Sequence, residues 1–164
     1  MLVHSSKFMT ELDDACIQPN AVDLRIESIT KIDNNTPFII TEYEKIHRDN
    51  MKLSLMTHLS DGLQSTGRKY WVLDPGQYQF ETNHFVEIPE GYAGWLIARS
   101  TLNRNGVFVT SGLYDSGFKN TVGGVLHVSG RTEIGYNTRI AQFIMLKAET
   151  EHLYDGDYNI KEGN

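Results

Sequence analysis

Arg99, Ser100, Thr101 and Arg104 stand together in the stretch A-R-S-T-L-N-R, and Asp115 follows them after one strand-like run and a tight turn. Guanidinium forks and hydroxyl donors match phosphate oxygens in charge and geometry, so the first cluster is suited to holding phosphates. A carboxylate beside it can take a proton from water and turn that water into a nucleophile. Taken singly, Asp115 is a turn residue in D-S-G and Arg99 a surface charge. The functional reading rests on the two together.

The elements that must position these groups are strands. Ala21–Ile29 (A-V-D-L-R-I-E-S-I) alternates apolar and polar residues, with Asp23, Arg25 and Glu27 on the polar side. K-Y-W-V-L from Lys69 ends at the turn signal Asp74-Pro75-Gly76, and Q-Y-Q-F-E-T, H-F-V-E-I-P and W-L-I-A-R continue a strand-turn rhythm. Later come G-G-V-L-H-V-S-G, a turn over 131–137, and R-I-A-Q-F-I-M-L-K-A. Short strands separated by regular turns predict an all-β sandwich or barrel rather than βαβ units. One helix is expected at the N-terminus, where Ser5 and Ser6 can cap a short turn and Phe8, Leu12 and Cys16 fall on one face. Residues 31–70 read as a variable insertion carrying an extra hairpin, and 149–164 as a polar tail that is mobile until something binds it.

With 164 residues the chain fits one domain over 1–164. A net charge of -6 gives no electrostatic reason to bind nucleic acid or an acidic membrane, though a local basic cluster can still hold a small anion. No apolar run approaches the roughly 20 residues needed to cross a bilayer. The start, M-L-V-H-S-S-K-F, lacks the regions of a secretory signal, and the single Cys16 suits a reducing cytoplasm. The six histidines show no H-x-x-x-H pairing and there is no C-x-x-C, so a zinc site is not expected; nor is there a Walker A loop, G-x-G-x-x-G or G-x-S-x-G.

Four stretches, Q-P-N-A-V-D-L-R (18–25), A-R-S-T-L-N-R (98–104), T-S-G-L-Y-D-S-G-F (110–118) and R-I-A-Q-F (139–143), come in the order of the motifs of the trimeric dUTPase / dCTP deaminase superfamily. The first three resemble the deaminase patterns Q-P-x-S-V-D-L-R, R-S-S-L-x-R and T-A-G-x-I-D-P-G-F, and the fourth resembles the dUTPase form. The tail Y-D-G-D-Y (154–158) is similar to a deaminase lid.

The resemblance implies a β-rich jelly-roll or barrel subunit that works as a homotrimer, with sites between subunits and a deoxypyrimidine nucleoside triphosphate as substrate. It implies that Arg99 and Ser100 sit on the triphosphate, and that Gln142 contacts a phosphate or a magnesium-bound water. Asp115 would lie under the 3′-hydroxyl and act as the base in hydrolases, while Phe118 stacks on the deoxyribose. Thr110, Ser111 and Gly112 would read the pyrimidine edge, Arg104 would stand near the base, Asp23 would support the site, and Tyr158 would belong to the lid. Mg²⁺ would be carried by the triphosphate rather than by direct protein ligands.

Departures from the pattern decide between chemistries. Deamination in this family uses a glutamate in the strand after the Asp turn, in a pattern like I-T-L-E-L-S-N. Here that strand reads V-G-G-V-L-H-V-S-G, with His127 in the glutamate's place and no carboxylate between Asp115 and Glu133. His127 is then a base-contacting side chain or a strand residue. Asp157 replaces the lysine expected before Tyr158. The favoured function is a dUTP-type pyrophosphohydrolase using Asp115; the alternatives are a dCTP deaminase with a rearranged proton carrier and a non-catalytic nucleotide sensor.

Overall fold

Alternation of apolar and polar residues sets the main strands, and the computed structural model describes residues 1–57 and 68–160. Residues 58–67 of the expected insertion and 161–164 of the expected tail lie outside the described residues. Ahead of the expected insertion come β1 (Leu2–Val3) and the long β2 (Val22–Lys31), and within it lie the two-residue strands β3 (Ile39–Ile40), β4 (Lys45–Ile46), β5 (Met51–Lys52) and β6 (Met56–Thr57). After it come β7 (Lys69–Leu73), β8 (Gly76–Glu87), β9 (Tyr92–Ala98), the single-turn helix α1 (Ser100–Arg104), β10 (Val107–Thr110), β11 (Lys119–Val128), β12 (Thr132–Gly135) and β13 (Arg139–Lys147).

The fold is mostly β, as expected. An eight-stranded antiparallel sheet runs β1-β13-β2-β8-β11-β10, with β5 added to β2 and β9 to β13. The sheet curls until β9 meets the segment after β10: the Leu96 N–H donates to Ser111 Oγ at 3.0 Å, and Gly94 and Tyr114 form an isolated bridge. Inside lie Leu24, Ile26, Tyr78, Phe80, Leu126, Phe143 and Met145, all nearly inaccessible. Burying side chains of this size contributes about 1.5–3 kcal/mol each. Along β8, Tyr78, Phe80, Thr82, His84 and Val86 point inward while Gln77, Gln79, Glu81, Asn83 and Glu87 point out. The strand is therefore unbroken at Asn83, where the sequence suggests two pieces. Among the described residues no helix is long and apolar enough to cross a membrane.

Two expectations need correction. The N-terminal helix is absent; two 3-10 turns, Ser5–Phe8 and Asp14–Cys16, take its place. Between them Met9 pairs with Val86, the Thr10 N–H donates to Phe85, and Glu11 adopts φ 58, so the backbone is committed to the edge of β8 rather than to a helical ladder. Phe8, Leu12 and Cys16 do pack against the core, but Phe8 and Cys16 do so from separate turns and Leu12 from the segment between them. The expected turn over 131–137 contains β12, which pairs with β7 and buries Ile134. The turn itself is confined to its end, at Tyr136 and Asn137.

Candidate active site

β13 and β2 carry Gln142 and Asp23, two residues of the expected phosphate clamp. Gln142 stands opposite Asp23 in the antiparallel register, and its Nε2 donates to Asp23 Oδ1 at 2.9 Å. Arg99, directly after β9, places Nε 3.1 Å from Asp23 Oδ2 and donates from a terminal nitrogen to the Arg139 carbonyl at 3.1 Å. Arg139 adds a second guanidinium 3.4 Å from Asp23 Oδ2 and also bonds the Ala15 carbonyl. Asp23 is 1% exposed, whereas the two arginine side chains are each 31% exposed. One buried carboxylate thus anchors two cations whose outer edges remain in reach of solvent. A buried charge with this many donors is fully compensated, and the cluster keeps a net positive charge for an anion.

Arg139 was not singled out by the sequence. Residues 139 and 142 have opposite parity, so a regular strand would point them to opposite faces. A register shift between Arg139 and Ala141 changes that, placing Arg139 opposite Arg25 and Gln142 opposite Asp23. Such bulges re-aim side chains beside functional sites. The signal available in the sequence was the odd spacing within R-I-A-Q.

Asp115 is presented on the exposed turn between β10 and β11. Ser116, 4% exposed, pins the turn by donating to the Tyr92 carbonyl at 2.6 Å and meeting Thr150 Oγ1 at 2.7 Å. Asp115 shares a depression of about 520 Å³ with Leu113, Glu149, Glu151, His152 and Asp155. The carboxylate end of the site is therefore acidic and the Arg99 end basic. Asp115 lies beyond Tyr114, which pairs with Gly94, five extended residues before Arg99. At about 3.4 Å per residue, clamp and carboxylate turn stand roughly 17 Å apart within one chain.

Other expected residues lie on α1, at the end of β10 and in the turn that follows it. Thr110 Oγ1 lies 2.9 Å from His127 Nε2 across the β10–β11 pair, and Ser111 holds Leu96 as described. Gly112 is exposed in the turn. Ser100 and Arg104 are the first and last residues of α1, both exposed. Phe118 is 6% exposed, with its ring 4.9 Å from Tyr114 and 6.0 Å from Tyr154.

The tail folds back on this same segment. Tyr154 N–H donates to Ser116 at 2.7 Å, and Asn159 accepts from Lys119 N–H at 2.8 Å while donating to the Gly117 carbonyl at 3.1 Å. Tyr158 is exposed, and its carbonyl accepts from Asn120. Gly117 makes this approach possible: it has φ +90, and a Cβ there would lie 3.0 Å from both Leu153 Cβ and Tyr154 N.

Comparison with known proteins identifies the family. The family described as dCTP deaminase-like matches residues 2–148. The probable deoxyuridine 5′-triphosphate nucleotidohydrolase of Halobacterium salinarum is 28% identical over 146 residues, covering 88% of this chain and 84% of that protein. The protein of the same description from Methanothermobacter thermautotrophicus is 30% identical over 145 residues, covering 87% of each. The crystal structure of 2′-deoxycytidine 5′-triphosphate deaminase from Agrobacterium tumefaciens superposes on 87% of this chain with a TM-score of 0.56 at 16% identity. The match takes in 44% of that longer chain, so this chain spans under half of its length and the likeness is one of fold. The chain belongs to the dCTP deaminase-like family.

Proposed function

We propose that this protein hydrolyses deoxyuridine triphosphate, or a closely related deoxypyrimidine triphosphate, to the monophosphate and pyrophosphate. The observation that carries this reading is the pairing of a retained Asp115 with a β11 that holds no carboxylate, His127 standing where a deaminating glutamate is expected. The hydrolytic base is available and the deaminating one is not. In the reaction Asp115 takes a proton from water, the water oxygen bonds to the α-phosphorus, and the bond from that phosphorus to the bridging oxygen breaks, releasing pyrophosphate.

The charge layout orients the substrate. Arg99, supported by Asp23 and Arg139, faces the triphosphate with Ser100, while the acidic depression around Asp115 receives the sugar side, where Phe118 walls the deoxyribose. Gln142 commits one Nε2 proton to Asp23. Its second proton and its Oε1 then serve a phosphate oxygen and a water. Thr110, Ser111, Gly112, His127 and Arg104 flank the base, and Tyr158 belongs to the tail that closes over it. Mg²⁺ fits as an ion held by the triphosphate, whose hard oxygens are the donors it prefers. When bound it neutralises phosphate charge.

The working unit in this reading is a homotrimer in which the clamp of one copy faces Asp115 of its neighbour. The roughly 17 Å between them in one chain supports this. So does the outer face of β9, where Trp95 and Ile97 are 36% and 37% exposed and Ile144 stands opposite Trp95. The buried free thiol of Cys16 suits a reducing cytoplasm.

The test is a panel of deoxynucleoside triphosphates with Mg²⁺, assayed for both pyrophosphate and ammonia. Pyrophosphate from dUTP is the expected result. Ammonia from dCTP would replace this reading with deamination, for which the His127–Thr110 hydrogen bond is the structural argument. Tight binding without either product would make the protein a sensor.

A further inference from the structure

The turn that presents Asp115 begins with a residue to which the hydrolase reading gives no role. Tyr114 exchanges two backbone bonds with Gly94 of β9, at 2.8 and 2.9 Å. Its ring meets Phe118 and Phe143 edge-on, with centroids 4.9 and 5.5 Å away. Its hydroxyl lies against Gly123 of β11, accepting from the N–H at 3.0 Å and donating to the carbonyl oxygen. One residue therefore joins β9, through its backbone, to β11, through its hydroxyl.

Gly123 is not an ordinary ladder position. The β11–β8 register shifts between Thr121 and Gly123, and a bulge of this kind disrupts the ladder locally. A Cβ at Gly123 would fall 2.4 Å from the Phe80 carbonyl oxygen, so β11 runs closer to β8 there than any other residue type permits. The phenol supplies both a donor and an acceptor to the peptide groups of this residue. The family pattern T-A-G-x-I-D-P-G-F has an isoleucine where Tyr114 stands, and an isoleucine can fill the space but cannot make either bond.

We propose that Tyr114 is a positioning residue for Asp115: by tying the first residue of the turn to β9 through its backbone and to the β11 bulge through its hydroxyl, it fixes where the carboxylate stands relative to the scissile phosphorus. This rests on the hydrolase reading given above. Burial pushes the phenol pKa up from its ordinary value, the bond to Gly123 opposing only in part, so the proton that reaches the Gly123 carbonyl stays in place through neutral pH. Misplacing a reacting group by a fraction of an ångström lowers turnover while leaving contacts to the bound substrate intact.

The experiment compares wild type with Tyr114→Phe, which keeps the ring, and Tyr114→Ile, which keeps an apolar plug. Three quantities are measured: kcat for dUTP with Mg²⁺, Kd for a non-hydrolysable α,β-imido analogue, and the thermal midpoint. The expected result in either folded variant is a fall in kcat of about tenfold or more with the analogue Kd changed less than about twofold. In an Asp115→Asn background, Tyr114→Phe then lowers residual turnover no further, because both changes act through one carboxylate. Unchanged kcat overturns the proposal whether or not the thermal midpoint drops, and so does parallel loss of analogue binding and turnover. Wild type releasing no pyrophosphate sinks the hydrolase reading itself; wild type active with the variants equally active sinks only the role of Tyr114.

Discussion

Asp23 and Arg99 form an ion pair in which the carboxylate is buried and the guanidinium faces outward, at 3.1 Å between Oδ2 and Nε. The anion holds the cation in place. Asp23→Ala leaves Arg99, Arg139 and Gln142 without their common anchor. Removing one member of a buried charged cluster costs about 3–5 kcal/mol, so the urea midpoint should fall markedly. The milder Asp23→Asn should weaken nucleotide binding by about tenfold, or about 1.4 kcal/mol. Titration calorimetry with the imido analogue reads this directly, and unaltered affinity would remove Asp23 from the clamp.

Subunit mixing tests whether the clamp and the carboxylate come from different chains. Arg99→Ala and Asp115→Asn should each be nearly inactive alone, the second by about 10²–10⁴-fold for loss of a general base. Unfolded, mixed in equal amounts and refolded together, they should recover about a quarter of wild-type turnover, since that share of sites in random symmetric oligomers pairs two intact halves. No recovery would put both groups in one chain.

Acid should destabilise the protein through His84. The ring is 3% exposed, and its Nε2 accepts from the Arg25 N–H at 3.0 Å. The ring proton therefore sits on Nδ1, a buried nitrogen with no hydrogen-bond partner among the described residues. Burial, aided by the Arg25 charge, pushes the imidazole pKa down from its ordinary value. Between that lowered value and about 6.5 the unfolded chain binds more protons than the folded one, so stability rises with pH through this window and falls as pH drops below about 6.5. His84→Gln, which retains an acceptor, should flatten the stability difference between about pH 7 and about pH 5. An equal slope in both proteins would exclude His84 as the source.

Asn159 should govern how firmly the tail is seated. Its side chain bonds Lys119, Gly117 and Tyr154. Asn159→Ala should raise exchange at the Lys119 amide by about tenfold, equivalent to about 1.4 kcal/mol of lost protection, and hasten cleavage by protease near Leu153. Hydrogen exchange resolved to this segment is the measurement; unchanged protection at Lys119 would show that the tail is held elsewhere.

Much of the fold was legible because strands such as β8 alternate, and along β8 the burial follows that alternation. The N-terminal helix failed for a tertiary reason: Met9 and Thr10 gain sheet partners on β8 that a local helical pattern does not reveal. Thr132 and Ile134 fooled the eye in a similar way, since four residues among turn signals carry too short an alternation to stand out. At the site, residue types identified Arg99 and the family resemblance added Asp23 and Gln142, and the chain brings these three into contact. Arg139 and Tyr114 were hidden because each depends on a bulge, and a bulge is a relation between two strands rather than a property of one.

The bulge before Ala141 also divides β13 into two reading frames. Before it Arg139 addresses Asp23, and after it Gln142 does, while Phe143 and Met145 hold the interior. Inserting or deleting one residue between 139 and 142 would exchange those assignments, sending Arg139 inward or drawing an apolar side chain onto Asp23. Substitutions of side chains can therefore tune the clamp without touching the core, but a change in strand length cannot.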